Sequence, residues 1–332
     1  MRNPHLDKAK GLLIFLVVLG HCLERFIGWI DPNSALLSFI YSFHMPAFIF
    51  VSGLLFKNHK LFEKILFFTV LAVLFQILYF CFESFWQHTQ NWLNWVIKPY
   101  WILWYLWGMV AWSLITPLLM KTHYPLLIAI FASLGIGLSP FNNYLFSIGR
   151  IFVFLPFFVA GALYGKSFLH YIQNTKYSLW IAAASIIISI TLLTLLRPNP
   201  YWLYGSLSYQ QLQVDAVHGV LTRLWLLMIA SCGIIASLAY ASKFPDILRG
   251  MGENTLAIYL LHGFFIIILT KLITFTSMNW MLNLAFCLII SILLCVILKA
   301  RFLSRSIQYT AMHITQFLLK LMQYFIRGFY KR

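Results

Sequence analysis

Long apolar segments alternate with short polar stretches along almost the whole chain. Several of these segments exceed the roughly 17 residues that an α-helix needs to cross a hydrocarbon layer about 30 Å thick, so they predict membrane spans and not a cleaved signal peptide. No Pro-, Ser- or Gly-rich linker and no block of charge divides them. The pattern therefore predicts an all-α, polytopic membrane helix bundle that forms one domain over residues 1–303. The ten expected spans are 11–29, 35–56, 62–82, 101–120, 124–138, 151–166, 178–196, 219–240, 255–275 and 280–299.

The C-terminal segment has a different pattern. Residues 304–332 contain five Lys and Arg residues and no Asp or Glu. Apolar side chains recur there at helical spacing, which predicts an amphipathic helix that lies in the membrane interface on the inner leaflet. The apolar positions are Ile307, Ala311, Ile314, Leu318, Leu321 and Phe325.

Composition supports the membrane interpretation and adds an orientation. Of the 332 residues, 61% are hydrophobic and 10% are charged, which is more apolar surface than a soluble domain can bury. The net charge of +16 indicates topology and not nucleic-acid binding, because Lys and Arg concentrate in cytoplasmic loops. With ten spans and a cytoplasmic N-terminus, 18 of the 24 Lys and Arg residues lie on the inner side. Both termini are therefore predicted to be cytoplasmic.

Candidate metal ligands are few and poorly spaced. The chain has eight acidic residues, and its five cysteines lie in or near apolar segments without a CxxC pair. Three histidines, His21, His44 and His262, are expected near mid-membrane on three different helices. Imidazole suits zinc, copper or haem iron, so a metal site is an alternative, but no two of these histidines share an i, i+3 or i, i+4 spacing. We predict no metal site.

The stretch from Lys10 to Glu24 carries the strongest candidate site. Lys10 and His21 are eleven residues apart, which is about three helical turns, so both side chains point the same way. At ~1.5 Å per residue, His21 lies about 16 Å beyond Lys10, and Glu24, one turn further on, can orient the imidazole. An ionisable residue at mid-membrane is costly and indicates function. The alternative is a buried histidine that is bonded to a carbonyl on a neighbouring helix.

Polar side chains on other spans extend this candidate site. His44 lies about 20 Å from the inner Lys57 by helix rise, which places it near mid-depth. Arg150 opens the sixth span, where it either anchors the interface or faces a cavity. Asn254 is a candidate N-cap of the ninth span, and His262 lies on the same helical face at i, i+8.

An acyl-transfer reaction explains this arrangement best. Four inner lysines can hold the phosphates of cytoplasmic acyl-CoA, or they mark only the topology. His21 is placed to take a proton from an acceptor hydroxyl as a general base, with Glu24 fixing its tautomer. The acceptor would enter from the outer side, where the aromatic and amide side chains of residues 197–218 suit either a sugar or an aromatic belt. The four lysines are Lys10, Lys57, Lys60 and Lys64.

Four stretches, in this order along the chain, resemble a single family. The first is Lys10 and His21, a basic residue and a histidine with ten residues between them, and the others are Ser42–Lys57, Arg150–Lys166 and Gly252–His262. Together they resemble the integral-membrane acyltransferase-3 family, in the branch similar to fucose 4-O-acetylases. Most of that family has arginine at the position of Lys10. The arginine pair that many members carry after the second helix is absent here, where lysines stand instead.

The resemblance implies a ten-helix bundle in a bacterial inner (cytoplasmic) membrane. Such a protein passes an acyl group from acetyl-CoA, or another acyl-CoA, to a sugar hydroxyl of a cell-surface polysaccharide or lipid-linked glycan. His21 would be the catalytic residue, assisted by Glu24, and Lys10 its basic partner. We predict that residues of the other motifs bind substrate: His44, Arg150, Asn254, Tyr259 and His262.

Two other classes of function stay open at this point. A transporter or flippase for a glycolipid or a small solute would need a substrate cavity but no acyl-CoA. A structural or assembly subunit would have no use for histidines at mid-membrane. Within the acyltransferase hypothesis, direct transfer and an acyl group resting covalently on His21 are both open.

Overall fold

The computed structural model describes residues 3–86, 92–140, 143–273 and 279–329. Within these ranges the chain forms α-helices and short 3₁₀ turns and no strand, which confirms the predicted all-α class. The α-helices are α1 (Pro4–Phe26), α2 (Asn33–Leu54), α3 (Leu61–Trp86), α4 (Trp92–Ile97), α5 (Trp104–Leu119), α6 (Pro125–Gly135), α7 (Ile148–Asn174), α8 (Ser178–Leu196), α9 (Pro200–Tyr204), α10 (Ala216–Tyr240), α11 (Asp246–Glu253), α12 (Thr255–Leu272), α13 (Trp280–Leu298) and α14 (Arg301–Phe329).

The helices are long and apolar enough for a multi-pass membrane protein. Among the described residues, 8 helical segments have the length and composition to cross a membrane. All ten predicted spans coincide with helices, including α1 and the short apolar segment Pro125–Leu138, which ends in a 3₁₀ turn. The polytopic bundle is therefore confirmed, and the cytoplasmic location of both termini remains a prediction.

Helix α1 lies at the centre of the bundle. It begins at an N-cap, because the Asn3 side chain accepts hydrogen bonds from the backbone N–H groups of His5 and Leu6. Along its 23 residues it packs against α2, α11, α12 and α13. Leu13 near the middle of the helix and Leu23 near its end are fully buried. Asp7 is buried as well, His21 and Glu24 are partly buried, and Arg25 is exposed.

Two glycines allow α2 and α7 to cross in backbone contact. A Cβ atom on Gly161 would lie 2.0 Å from the carbonyl oxygen of Phe50, and one on Gly53 would lie 2.1 Å from the carbonyl oxygen of Phe158. Neither contact leaves room for a side chain, and small residues are the usual means of such close helix packing in membranes. The crossing fixes α2, the helix that carries His44, against α7.

The predicted amphipathic helix forms as α14, beginning at Arg301. Ala311 and Thr315 on one side are fully buried, and Ile314 packs against the hydrophobic core. This side of α14 contacts α3 and α12. The apolar stripe thus packs largely on protein, and the position of the helix on the inner leaflet remains a prediction.

Candidate active site

His21 and Lys10 line different cavities of the bundle. The His21 cavity has a volume of about 200 Å³ and is lined by residues that include His21, Glu24, Tyr41, His44, Trp101, Arg150 and Tyr204. The lysine cavity has a volume of about 430 Å³ and is lined by residues that include Lys10, Ser52, Lys57, Lys64, Tyr105 and Thr255. Tyr259 lines both cavities. Lys10 and His21 therefore line separate cavities that share one wall.

One carboxylate, one hydroxyl and two aromatic rings contact the His21 imidazole. Its Nδ1 atom lies 3.5 Å from Glu24 Oε2 and 3.3 Å from the Tyr41 hydroxyl. The Trp101 ring meets it edge-on with a centroid distance of 4.6 Å, and the His262 ring stacks on it at 5.6 Å and 16°. These contacts confine the ring to one orientation.

Glu24 is the centre of a hydrogen-bond network that the sequence did not reveal. The Tyr41 hydroxyl donates to Glu24 Oε2 over 2.7 Å, and the Tyr204 hydroxyl donates to Oε1. Trp29 Nε1 in turn donates to the Tyr204 hydroxyl over 2.9 Å. Donors on both oxygens match the acceptor-only character of an ionised carboxylate. Tyr204 comes from α9, so this network ties the segment 197–218 to the C-terminal end of α1.

The Glu24 carboxylate faces one nitrogen of His21. Nδ1 lies 3.5 Å from Glu24 Oε2, so a neutral imidazole with its proton on Nδ1 can donate a hydrogen bond to Glu24. In that tautomer, Nε2 carries the free lone pair. Catalytic histidines use the same arrangement, in which a carboxylate sets the tautomer.

Arg150 lines the His21 cavity. Of its two predicted positions, an anchor at the interface or a residue that faces a cavity, the structure has the second. Its Nε donates to Ser206 Oγ over 2.7 Å, and its guanidinium lies 5.2 Å from the Trp104 ring and 5.9 Å from the Tyr204 ring. Within the described ranges it forms no ion pair with a carboxylate. Its guanidinium is therefore a positive charge that a substrate in the cavity can contact, while Glu24 lines the same cavity.

The other two histidines of the predicted site take different positions. His44 lines the His21 cavity, and its Nδ1 donates to the Ile40 carbonyl over 2.7 Å. His262 is fully buried behind the cavity, where it stacks on His21 while its Nδ1 donates to the Ile258 carbonyl over 2.9 Å. His44 is therefore placed to meet a bound molecule, and His262 supports the ring of His21.

The four predicted phosphate-binding lysines do not behave alike. Lys10 forms an ion pair with the buried Asp7 over 2.7 Å, and Lys64 Nζ donates to the Lys57 carbonyl over 2.6 Å. Lys60 does not line the lysine cavity, and its Nζ lies 3.5 Å from Glu63 Oε2. Three of the four lysines thus reach the lysine cavity.

Tyr259 lies within α12 and Asn254 lies at its start, and the two side chains have different surroundings. Tyr259 is buried between the two cavities, and its hydroxyl donates to the Ile102 carbonyl. Asn254 is the N-cap residue of α12, but its side chain makes no capping bond and donates to the Gly250 carbonyl over 3.1 Å. Asn254 lines neither the His21 cavity nor the lysine cavity. Of the three predicted substrate-binding residues of the ninth-span motif, Tyr259 lines both cavities, His262 contacts His21 from behind its cavity, and Asn254 reaches neither cavity.

Metal ligands do not gather in the described part of the chain. Those ranges hold no group of three or more His, Cys, Asp or Glu side chains that could bind a metal ion. The polar groups of the His21 cavity form hydrogen bonds with one another, as between Tyr41, Tyr204 and Glu24.

Comparison with known proteins gives a family match over most of the chain. A family profile described as "Acyltransferase domain" matches residues 3–300. A curated relative, Nodulation protein NolL of Mesorhizobium japonicum, is 42% identical over 60 residues, a match that covers 16% of this chain and 15% of the relative. No solved structure matches the chain significantly. The family match covers all four motif stretches, so the resemblance drawn from the sequence is confirmed.

Proposed function

The chain belongs to the acyltransferase domain family, and on this premise we propose that it is an O-acyltransferase of a bacterial inner membrane. The donor is cytoplasmic acyl-CoA, most simply acetyl-CoA, and the acceptor is a sugar hydroxyl of a cell-surface polysaccharide or lipid-linked glycan. The observation that carries this proposal is the pairing of His21 with Glu24 in a cavity that also contains Arg150.

In the proposed reaction, the acceptor hydroxyl binds near His21 Nε2. The imidazole takes the hydroxyl proton while the oxygen attacks the thioester carbonyl, and Glu24 stabilises the imidazolium that forms. The carbon–sulfur bond then breaks, and the coenzyme A thiolate leaves and receives the proton from His21. The guanidinium of Arg150 stabilises the negative charge that develops on the reacting carbonyl oxygen.

The lysine cavity is the proposed donor site. Lys57 and Lys64 provide positive charge for the phosphates, and the interior is lined largely by apolar side chains suited to the pantetheine arm. Within it, the Tyr105 and Ser52 hydroxyls lie 2.6 Å apart and offer partners for the amides of that arm. The thioester then reaches the His21 cavity past Tyr259, which forms the shared wall.

Radiolabel transfer in a reconstituted system tests this function. The full-length protein in nanodiscs is incubated with labelled acetyl-CoA and an extract of lipid-linked glycans from the host. We expect label to enter the glycan fraction. If no label moves and coenzyme A does not bind, the acyltransferase proposal is wrong and transport of a glycolipid becomes the better hypothesis.

The donor site leads to a prediction about two lysines. Replacing both Lys57 and Lys64 with glutamine removes two cations from the lysine cavity, so we expect KM for acyl-CoA to rise about tenfold, with little change in kcat. Initial rates at varied acyl-CoA concentrations measure this. The matched control is Lys60→Gln, which removes a neighbouring cation that faces Glu63 and should leave KM unchanged. Equal KM values for the double variant and the wild type would remove these lysines from the donor site.

The hydrogen bond from the Tyr204 hydroxyl to Glu24 leads to a second prediction. Tyr204→Phe keeps the aromatic ring but removes the hydroxyl that donates to Glu24. We expect kcat to fall about tenfold, because a hydrogen bond to a charged group that orients the base is lost, while KM for acyl-CoA stays constant. The control is Tyr201→Phe on the same short helix, where the side chain is exposed. A kcat equal to that of the control would exclude Tyr204 as a positioning residue.

A further inference from the structure

A third cavity lies where α11, α12 and α14 meet, apart from the two cavities of the proposed reaction. This junction cavity has a volume of about 310 Å³. Its lining differs from theirs because all of its side chains are polar or charged: Glu253, Asn254, Arg301, Ser304, Arg305 and Gln308. Such a concentration of hydrogen-bonding groups indicates a polar ligand.

Positive charge exceeds negative charge around the junction cavity. Glu253 lies 3.2 Å from Arg249 and 3.4 Å from Arg301, so one carboxylate is shared by two guanidinium groups. Arg305 lines the cavity without an ion pair to any described residue, and Lys299 approaches Gly250 at the edge of the same junction. The four cations leave a net positive charge that an anion can compensate.

The side chains of the junction cavity include the types of donor that bind phosphate. Arginine presents a planar fork of N–H groups that binds phosphate oxygens in pairs. Ser304 is buried with its hydroxyl 3.5 Å from Gln308 Nε2, so a hydroxyl and an amide stand beside the guanidinium groups. Only Glu253 opposes an anion there, and its charge is already shared by two arginines.

We propose that the junction cavity binds a phosphate group and thereby fastens α14 to the helix bundle. The family profile ends at residue 300, so the cavity joins Glu253 of the family domain to α14, which lies beyond it. Its position at the start of α12 puts two phosphate sources within reach: the headgroup of an anionic lipid of the inner leaflet, and the 3′-phosphate of coenzyme A. Both offer the same chemistry to the arginines; the coenzyme A source rests on the proposed function, whereas the lipid source does not.

Binding of defined phosphate probes to the full-length protein in detergent tests the proposal. One probe is short-chain phosphatidylglycerol, with phosphatidylcholine as its neutral counterpart. The other is adenosine 3′,5′-bisphosphate, with adenosine as its neutral counterpart. We expect one of the two anionic probes to bind and to raise the unfolding temperature of the protein, and we expect its binding to weaken with added salt. The probe that binds identifies the source of the phosphate.

Charge variants locate the binding to this cavity. Arg305→Gln should lower the affinity for the anionic probe about tenfold. Lys320→Gln, which removes an exposed cation further along α14, should leave that affinity unchanged. Glu253→Gln should raise the affinity severalfold, because the opposing carboxylate is gone. Absence of binding by both anionic probes, or equal weakening in Arg305→Gln and Lys320→Gln, would overturn the proposal.

Discussion

Replacing His21 with alanine should lower the rate of acyl transfer by about 10² to 10⁴-fold, the range that general-base catalysis contributes. The expected loss is in kcat, because the imidazole acts on the proton that leaves the acceptor hydroxyl during the reaction. KM for acyl-CoA should change little, since the proposed phosphate-binding lysines line a different cavity. Radiolabel transfer at saturating acyl-CoA measures the effect.

The interpretation requires that the His21→Ala protein still folds. The side chain of His21 is only 15% exposed, so its removal leaves space beside Trp101 and His262. Membrane yield and the unfolding temperature are therefore measured in parallel, with His123→Ala as a control at an exposed position. A folded His21→Ala protein that retains a third or more of the wild-type rate would show that His21 is not the base.

The helices of this protein were predictable because a membrane allows few alternatives. Backbone groups in lipid must bond within their own helix, so apolar length alone predicts a span. All ten predicted spans fall on helices for this reason. The crossing of α2 and α7 was not predictable in the same way. It depends on the backbone contact at Gly53 and Gly161, which involves residues about a hundred positions apart in the chain.

The candidate site was predictable only in part, for a similar reason. Lys10, His21 and Glu24 share one helix, so their spacing placed Glu24 beside His21, as the structure has it. Tyr41 and Tyr204 come from other elements, and aromatic residues near the outer surface are equally typical of an aromatic belt. Their hydroxyl bonds to Glu24 depend on tertiary packing, which no local pattern encodes.

The inner lysines show that residues close together in the sequence need not share a site. Lys57, Lys60 and Lys64 are close enough in the chain to be read as one basic cluster. In the structure, Lys60 pairs with Glu63, one turn along α3, while the other two line the lysine cavity. A count of charges cannot separate these cases, because the direction of each side chain decides which lysine faces the cavity.

The second large effect is expected at Arg150. Arg150→Gln keeps a hydrogen-bond donor but removes the positive charge from the His21 cavity, and we expect kcat to fall about 10² to 10³-fold, as when a group that stabilises a developing oxyanion is lost. Arg150→Lys should recover part of the rate, because it restores the charge but not the planar fork that bonds Ser206. Steady-state kinetics with acceptor and donor varied separately measure both variants.

Comparison of these kinetic constants distinguishes the proposed role of Arg150 from a merely structural one. Arg197→Gln, at an exposed arginine of the same outer side, serves as the control. Loss of kcat with unchanged KM values would mean that the guanidinium acts on the transition state. A rise only in KM for the acceptor would instead make Arg150 a binding residue for the glycan. Equal rates for Arg150→Gln and Arg197→Gln would contradict both roles, because the half-buried cation in the His21 cavity would then have no part in the reaction.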